Sequence, residues 1–242
     1  MIQVLNSKTM PAKPLSTFIF GPLRTSKTTS AATWPKPVFL SAGNEGGDTS
    51  LRGMDVEVIK INSVADMKEA VAYIDANGQK KHGWRTIVVD SLTYYSDLFV
   101  QAASNNGEKA LMQRDWGLLD LHLQKWLLPK LMSMPYHTVW IANEIETKNS
   151  DGNVVSYAPS LYGQTKTKFP GATDLIVRTM IRTVRNQQTS KLEAEYLFKT
   201  VSTDGSPIGG RFGSAFAEGI IPANFKAIAQ RIGPWIGEEV PA

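Results

Sequence analysis

The sequence predicts an α/β fold, with a mostly parallel central sheet flanked by helices and an antiparallel extension near the C-terminal end. Short apolar segments alternate with helix-compatible segments as far as residue 142, a pattern typical of parallel sheets. Two later segments, 175–184 and 192–201, alternate between apolar and polar residues and are joined by a polar link, as antiparallel strands are. A single domain is the simplest division of 242 residues, with an arm at 1–14, a core at 15–232 and a tail at 233–242.

The composition narrows the classes of protein to consider. With 42% hydrophobic and 20% charged residues, the chain resembles an ordinary globular protein. The absence of cysteine excludes disulfide frameworks, thiolate nucleophiles and cysteine-type zinc sites. No segment approaches the run of about 18 apolar residues that a spanning helix needs, and no apolar leader is apparent. We therefore expect a cytoplasmic protein with no membrane partner, and its formal charge of +4 permits nucleic-acid binding.

The elements follow in order from the first apolar run. A strand at 16–20 ends at Gly21, and a helix-compatible segment follows at 27–33. The pattern then predicts strands at 38–40, 56–61, 86–89 and 137–142. It predicts helices at 63–77, 92–103 and 115–133, and a short helix at 223–232.

Local signals set some of the boundaries. Ser63 is a typical N-cap, and Asn77-Gly78 would end the helix that follows it. Pro129 predicts a kink or an early end within 115–133. The segments 104–114 and 144–173 are predicted to be loops, with Asp151-Gly152 as a hairpin tip.

Residues 21–28, GPLRTSKT, follow the first strand in the pattern of a phosphate-binding loop. Backbone N–H groups of the turn would face the phosphates, Lys27 would contact the β and γ oxygens, and the Thr28 hydroxyl would bind Mg²⁺. The predicted cofactors are therefore ATP and Mg²⁺. The nucleotide-binding residues would be Gly21, Pro22, Arg24, Thr25, Ser26, Lys27, Thr28 and Thr29.

Ser26 departs from this pattern, because it stands where the second glycine belongs. If the position requires a left-handed backbone, a residue other than glycine costs roughly 1–2 kcal/mol. Each 1.4 kcal/mol is about tenfold in affinity, so nucleotide binding would be weakened rather than lost. The alternative is an ordinary strand, turn and helix that happens to contain Lys-Thr.

Acidic and polar residues follow three of the predicted strands. Asp90 ends the apolar run RTIVVD, where its carboxylate would orient Mg²⁺ beside Thr28, or would start the next helix. Glu45, in SAGNEGG, is placed to activate the attacking water, or is a solvated loop residue. Asn143 and Glu144 follow HTVWIA and could sense the γ-phosphate, or simply end the strand in polar residues.

The order of these motifs resembles the RecA-like recombinase core, a class of P-loop NTPase. RTIVVDSLT resembles its Walker B strand, VFLSAGNEGG the segment with its water-activating glutamate, and TVWIANEIE the sensor strand that leads into a DNA-binding loop. Over about residues 15–230 the chain looks more closely like the phage RecA-core ATPases described as nucleotide-binding or single-strand annealing proteins. The shared segments are GPxxxSKTT, DWGLLDLHLQKWLLPKLM, PSLYGQTKTKFPGATDLIVR and SPIGGRFG.

The resemblance implies an ATPase that acts on single-stranded DNA in phage recombination or annealing, in the host cytoplasm. It also implies a homo-oligomer, either a ring or a filament, and a single-strand-binding protein as a candidate partner. Lys27, Thr28 and Asp90 would hold ATP and Mg²⁺, and Glu45 would activate water. A basic residue of a neighbouring copy, Arg211 or else Lys199, would complete the site in trans; the alternative for Arg211 is a surface or DNA-contacting arginine.

A single-strand binder needs cations along the DNA backbone and aromatic faces for the bases. The two polar segments supply both, in Lys109, Arg114, Lys148, Tyr162, Lys166, Lys168 and Phe169. The alternative is a solvated charged loop whose aromatic residues pack in the core. Arg178 and Arg182 share a strand face and could instead pair with Glu193 and Glu195.

Three other functions stay open at this stage. Ser26 would suit a degenerate, non-hydrolysing nucleotide-binding scaffold. A helicase loader would use the same motifs, and a small-molecule kinase would need a lid and an acceptor pocket besides.

Overall fold

The computed structural model describes residues 10–43, 47–186 and 190–239. Its strands are β1 Ser16–Gly21, β2 Pro37–Ala42, β3 Glu57–Ile61, β4 Thr86–Asp90, β5 His137–Lys148, β6 Val154–Pro159, β7 Leu175–Arg185, β8 Leu192–Lys199, β9 Gly209–Gly210 and β10 Ile220–Pro222. Its α-helices are α1 Lys27–Ala31, α2 Val64–Asn77, α3 Leu92–Ala103, α4 Gln113–Leu121, α5 Leu128–Met132, α6 Thr165–Gly171 and α7 Phe225–Ile236. Two 3₁₀ segments are also present, Gly47–Leu51 between β2 and β3 and Gly213–Phe216 between β9 and β10.

The strands form one sheet in the order β10-β8-β7-β1-β5-β4-β2-β3. From β7 to β3 all neighbours are parallel, whereas β8 and β10 are antiparallel. The predicted class, a mostly parallel sheet with helices on its faces and an antiparallel extension, is confirmed.

Apolar side chains fill both faces of the sheet. In β1, Phe18 and Phe20 face the layer that contains α2 to α5, and Ile19 between them faces the layer that contains α7. All three side chains are fully buried. A strand covered on both faces has a continuous apolar run, which is why β1 is recognisable in the sequence.

Helix α2 begins and ends at the predicted residues, but the chain continues in a helical turn of another type. The Ser63 hydroxyl accepts a hydrogen bond from the Asp66 N–H at 3.1 Å, as an N-cap does. The α-helix stops at Asn77 as predicted, and a π-helical turn then continues through Gly78–His82 to Gly83, whose φ is +68°. A Cβ at Gly78 would come within 2.5 Å of the Tyr136 hydroxyl, so this glycine serves close packing.

The helix predicted at 115–133 has three parts. α4 begins at Gln113, so the predicted loop at 104–114 is shorter, and a π-helical turn at His122–Leu127 separates α4 from α5. Pro129 is the second residue of α5 and directly follows the π-helical turn. The interruption predicted from Pro129 is therefore a change of helix type just before it.

The loop predicted at 144–173 is largely structured. β5 continues to Lys148 and pairs with antiparallel β6, with Gly152 at φ +81° in the predicted tip. Since Gly21 at the end of β1 pairs with Asn143, the rest of β5 extends past β1, and so does β7 after Arg178. Two hairpins, β5–β6 and β7–β8, therefore extend beyond the carboxyl edge of the parallel sheet.

Across the described ranges, no helix combines the length and the apolar composition that crossing a bilayer requires. The division into arm, core and tail stays a prediction, although α7 continues past residue 232 to Ile236.

Candidate nucleotide-binding site

The loop between β1 and α1 has the backbone of a tight turn. Gly21 has φ +156°, and a Cβ there would lie 2.1 Å from the Thr179 hydroxyl oxygen, so only glycine fits. Arg24 is left-handed at φ +61°. The Thr25 hydroxyl donates to the Pro22 carbonyl at 2.7 Å and shares a hydrogen bond of 2.6 Å with the Thr179 hydroxyl. The loop is thereby fixed to β7 as well as to its own strand.

Ser26 has the left-handed backbone that its position in the motif requires, with φ +68° and ψ +22°. Its side-chain oxygen accepts a hydrogen bond from the Thr29 hydroxyl at 3.0 Å. A left-handed residue other than glycine strains the folded chain itself. We therefore predict that the cost of Ser26 falls on stability, in contrast to the weakened binding expected from the sequence.

Lys27 and Thr28, the first residues of α1, point their polar atoms in different directions. The buried Lys27 ammonium donates to the carbonyls of Gly21 at 3.0 Å and Pro22 at 2.7 Å, at the start of the loop. The Thr28 hydroxyl donates to a carboxylate oxygen of Asp90 at 2.8 Å. The ammonium that the motif assigns to phosphates thus lies within the loop, and the hydroxyl that it assigns to the metal lies against the end of β4.

Asp90 meets Thr28 because β4 ends at the same sheet edge as β1, although 62 residues separate the two side chains. The N-cap of α3 is Ser91, which accepts from the Tyr94 N–H at 3.4 Å, so Asp90 is not the helix-capping residue. A hydroxyl and a carboxylate in contact are hard oxygen donors of the kind that Mg²⁺ prefers. The residues present therefore fit a divalent cation at this point.

These residues line a cavity of about 770 Å³. The predicted residues in its wall are Arg24, Thr25, Ser26, Lys27, Thr28, Thr29, Asp90 and Asn143. Ser50, Tyr94 and Tyr196 also line it and were not predicted. Tyr94 lies in the first turn of α3, which begins directly after Asp90 and Ser91, so its place near the sheet edge could have been predicted from the sequence. Tyr196 comes from β8, and its place depends on a strand register that no local pattern shows.

Asn143 and Glu144, which follow the apolar part of β5, lie in two different environments. Asn143 lies beside Gly21 and lines the cavity, and its N–H donates to the Thr93 hydroxyl at 3.0 Å. Glu144 accepts two hydrogen bonds from Arg178, at 2.7 and 3.0 Å, and both side chains are largely buried. The Arg178 guanidinium also lies 3.8 Å from the centre of the Tyr157 ring. Glu144 is therefore not among the residues that line the cavity.

Of the ion pairs predicted for Arg178 and Arg182, the structure confirms only the one of Arg182. Arg182 pairs with Glu195 at 2.6 Å, as their cross-strand register dictates. Arg178 pairs with Glu144 on β5 rather than with a glutamate of β8, because its side chain points toward the β5–β6 hairpin.

Two of the remaining catalytic candidates, Arg211 and Lys199, are not among the residues that line this cavity. Glu45 falls outside the described residues. Arg211 donates to the carbonyls of Gly171 and Ala172 at 3.3 Å, near the start of β7 and thus at the opposite edge of the sheet. Lys199 donates to the Thr203 hydroxyl at 3.0 Å and to Asp204 at 3.2 Å.

The candidate nucleic-acid residues divide by exposure. Lys109, Arg114, Lys148, Lys166 and Lys168 are exposed. Tyr162 is half-buried and its hydroxyl donates to Asp97 at 2.7 Å; burial, and then this carboxylate, raise the pKa of Tyr162 to about 12. Phe169 is fully buried, with ring centroids 6.2 Å from Phe18 and 4.9 Å from Trp140. The proposed role of Phe169 in base stacking is therefore wrong, because α6 carries it into the core.

A family model described as an AAA domain matches residues 13–212. The chain belongs to this AAA domain family, and it is thus a nucleotide-binding protein of the P-loop NTPase class, in which a divalent metal generally accompanies the nucleotide. No curated protein matches the chain.

Proposed function

We propose that this protein binds ATP with Mg²⁺ in the cavity at the end of β1 and hydrolyses ATP while acting on single-stranded DNA. The observation that carries the nucleotide part is the 2.8 Å contact between Thr28 and Asp90, which joins the two halves of a metal site from distant parts of the chain. The setting would be phage recombination or annealing, on a RecA-like core.

Each residue of the loop has a defined task in this proposal. The loop N–H groups and the Lys27 ammonium bind phosphate oxygens, and Thr28 with Asp90 holds the cation. Asn143, which pairs with Gly21 at the end of β1, would hydrogen-bond the terminal phosphate. Glu45, known from sequence alone, would orient the attacking water. When bound, ATP with Mg²⁺ supplies the phosphoryl group whose transfer to water releases free energy.

Two features support the DNA part. The β5–β6 hairpin carries exposed Lys148 past the carboxyl edge of the sheet, and α6 adds exposed Lys166 and Lys168. The segment that joins this hairpin to α6 is bonded to the nucleotide-binding edge, since the Ser160 N–H donates to the Asn143 carbonyl at 2.7 Å. A cationic surface so connected would change its DNA affinity with the nucleotide state.

Assembly into a ring or filament is part of the same proposal. Arg211 is more than half exposed and lies at the sheet edge opposite the cavity. It could complete a nucleotide site only from a neighbouring copy. A single-strand-binding protein remains the candidate partner, and helicase loading is an alternative use of the same chemistry.

The test is ATP turnover by the full chain, measured with and without oligo(dT), for the wild type, Lys27→Ala and Glu45→Gln. Lys226→Ala, which changes an exposed lysine of α7, is the matched control. DNA-stimulated turnover that both site variants lose, and the control keeps, supports the proposal.

Other outcomes point to the rival functions. Nucleotide binding without turnover would indicate a non-hydrolysing scaffold. Turnover that a nucleoside stimulates and DNA does not would indicate a small-molecule kinase. DNA affinity that did not fall as salt rises would contradict binding through phosphate contacts.

A further inference from the structure

A small apolar pocket opens between α4 and the segment after β6. Its volume is about 300 Å³, and its lining residues are Trp116, Leu119, Asp120, Tyr162 and Gly163. The rings of Trp116 and Tyr162 lie with centroids 5.1 Å apart, inclined at 42°. Trp116 is 38% exposed, so an aromatic face of α4 remains available to a ligand.

The pocket is held in shape by its own hydrogen bonds. Trp116, Leu119 and Asp120 share one face of α4 at helical spacing. Asp120 accepts a hydrogen bond from the Thr165 hydroxyl, and Tyr162 is fixed through its hydroxyl by Asp97. A site that is already formed loses little conformational freedom when a ligand binds.

Exposed cations lie close in the sequence to both aromatic residues of the pocket. Arg114, two residues before Trp116, is 72% exposed and lies 3.7 Å from the Asp115 carboxylate. Lys166 and Lys168 are exposed and follow Tyr162 within six residues. The carboxylates nearby are already engaged by protein groups, such as Asp115, which accepts from the Met112 N–H at 2.8 Å. Exposed cations therefore flank the aromatic residues in the sequence, on α4 and on α6.

We propose that Trp116 and Tyr162 form a binding site for one nucleobase of single-stranded DNA, while Lys166 contacts a phosphate beside it. Aromatic stacking between cationic groups is how proteins bind single strands without reading their sequence. This site rests on the proposed function and deepens it, because it names where a base is held. An apolar peptide or a second copy would leave the flanking cations without a role.

The site also has a short connection to the nucleotide cavity. The Thr93 hydroxyl accepts from the Asn143 N–H at 3.0 Å and donates to the Ser160 carbonyl at 3.1 Å. Tyr162 follows Ser160 by two residues. The base site and the cavity are thus joined through one side chain of α3.

The experiment compares two labelled probes of equal length, oligo(dT) and an abasic deoxyribose-phosphate oligomer, by fluorescence anisotropy with the full chain. Trp116→Ala should weaken oligo(dT) binding by about 5- to 150-fold, the range that loss of one base stack gives. Its affinity for the abasic oligomer should stay as in the wild type, and Trp116→Phe should keep most of the oligo(dT) affinity. Leu118→Ala, at a residue 52% exposed on the same helix, is the matched control and should change neither.

Each contrary outcome has its own meaning. Equal losses on both probes would overturn the base site, because Trp116 would then act on the DNA backbone or on folding. Unchanged oligo(dT) affinity in Trp116→Ala would overturn it while the DNA part of the proposed function stood. If Trp116→Ala abolished self-association in sedimentation without changing DNA affinity, the occupant would be a second copy. If the wild type bound a fluorescent ATP analogue but no oligo(dT), both the base site and the DNA part of the proposed function would be wrong. The nucleotide site would stand.

Discussion

Replacing Ser26 tests whether the phosphate loop is strained as its backbone indicates. Two variants, Ser26→Gly and Ser26→Ala, both lose the hydrogen bond from Thr29, so comparing them isolates the backbone. A left-handed residue other than glycine costs about 1–2 kcal/mol. Glycine in turn makes the unfolded chain more flexible, which costs about 0.4–1 kcal/mol. We therefore expect Ser26→Gly to be more stable than Ser26→Ala by about 1 kcal/mol.

The wild type should lie close to the glycine variant. Its hydroxyl gains a hydrogen bond worth about 1 kcal/mol, which offsets much of the strain. Urea unfolding gives the three free energies, and titration with a fluorescent ATP analogue gives the three affinities. Nucleotide affinity should change little, because the loop has the same backbone in all three.

Two results would refute this reasoning. If Ser26→Ala were as stable as Ser26→Gly, residue 26 would not be left-handed in the folded protein. If Ser26→Gly bound nucleotide about tenfold more tightly at unchanged stability, the cost of the serine would fall on binding, at about 1.4 kcal/mol.

Three further expectations concern the metal site, the buried ion pair and the response to acid. Thr28→Val and Asp90→Asn should each lower the Mg²⁺-dependent gain in nucleotide affinity by about tenfold or more, since each removes an oxygen from the cation site. Nucleotide titrations in Mg²⁺ and in EDTA measure this gain. An unchanged gain would place the metal elsewhere. Arg178→Met should destabilise the fold by about 3 kcal/mol because it leaves buried Glu144 unpaired. Urea unfolding measures this loss of stability. Adding Glu144→Gln to the same chain should recover part of the loss. Burial lowers the pKa of His122 from 6.5 to about 4, so the unfolded state takes up the proton first and stability should fall as pH drops through this range. The slope should stay below about 1.4 kcal/mol per pH unit, since this group takes up a single proton, and melting temperatures of His122→Gln should fall less steeply than those of the wild type.

The sequence was sufficient where burial and motif agree. β1 and β4 are buried on both faces, so their apolar runs are continuous and end at Gly21 and Asp90. The parallel arrangement then brings those two ends to one edge of the sheet. The contact between Thr28 and Asp90 follows from that arrangement.

The sequence was insufficient where a strand leaves the core. β5 continues to Lys148 with exposed residues on both faces, so the apolar signal stops at residue 142 although the strand does not. The prediction for Phe169 failed for the opposite reason. Its basic neighbours in TKTKFPG indicated a surface loop, whereas α6 buries its ring. Tyr196 reaches the cavity through the pairing of β8 with β7, which depends on residues far along the chain.

The ion pair between Glu144 and Arg178 has a mechanical consequence. It joins β5 to β7 directly beyond Gly21, where β1 between them ends, so the two hairpins are coupled and their bases cannot spread independently. Thr179, the neighbour of Arg178, shares a hydrogen bond with Thr25 of the phosphate loop. A displacement of that loop is therefore transmitted to both hairpins through one hydroxyl contact, one peptide unit and one pair of opposite charges.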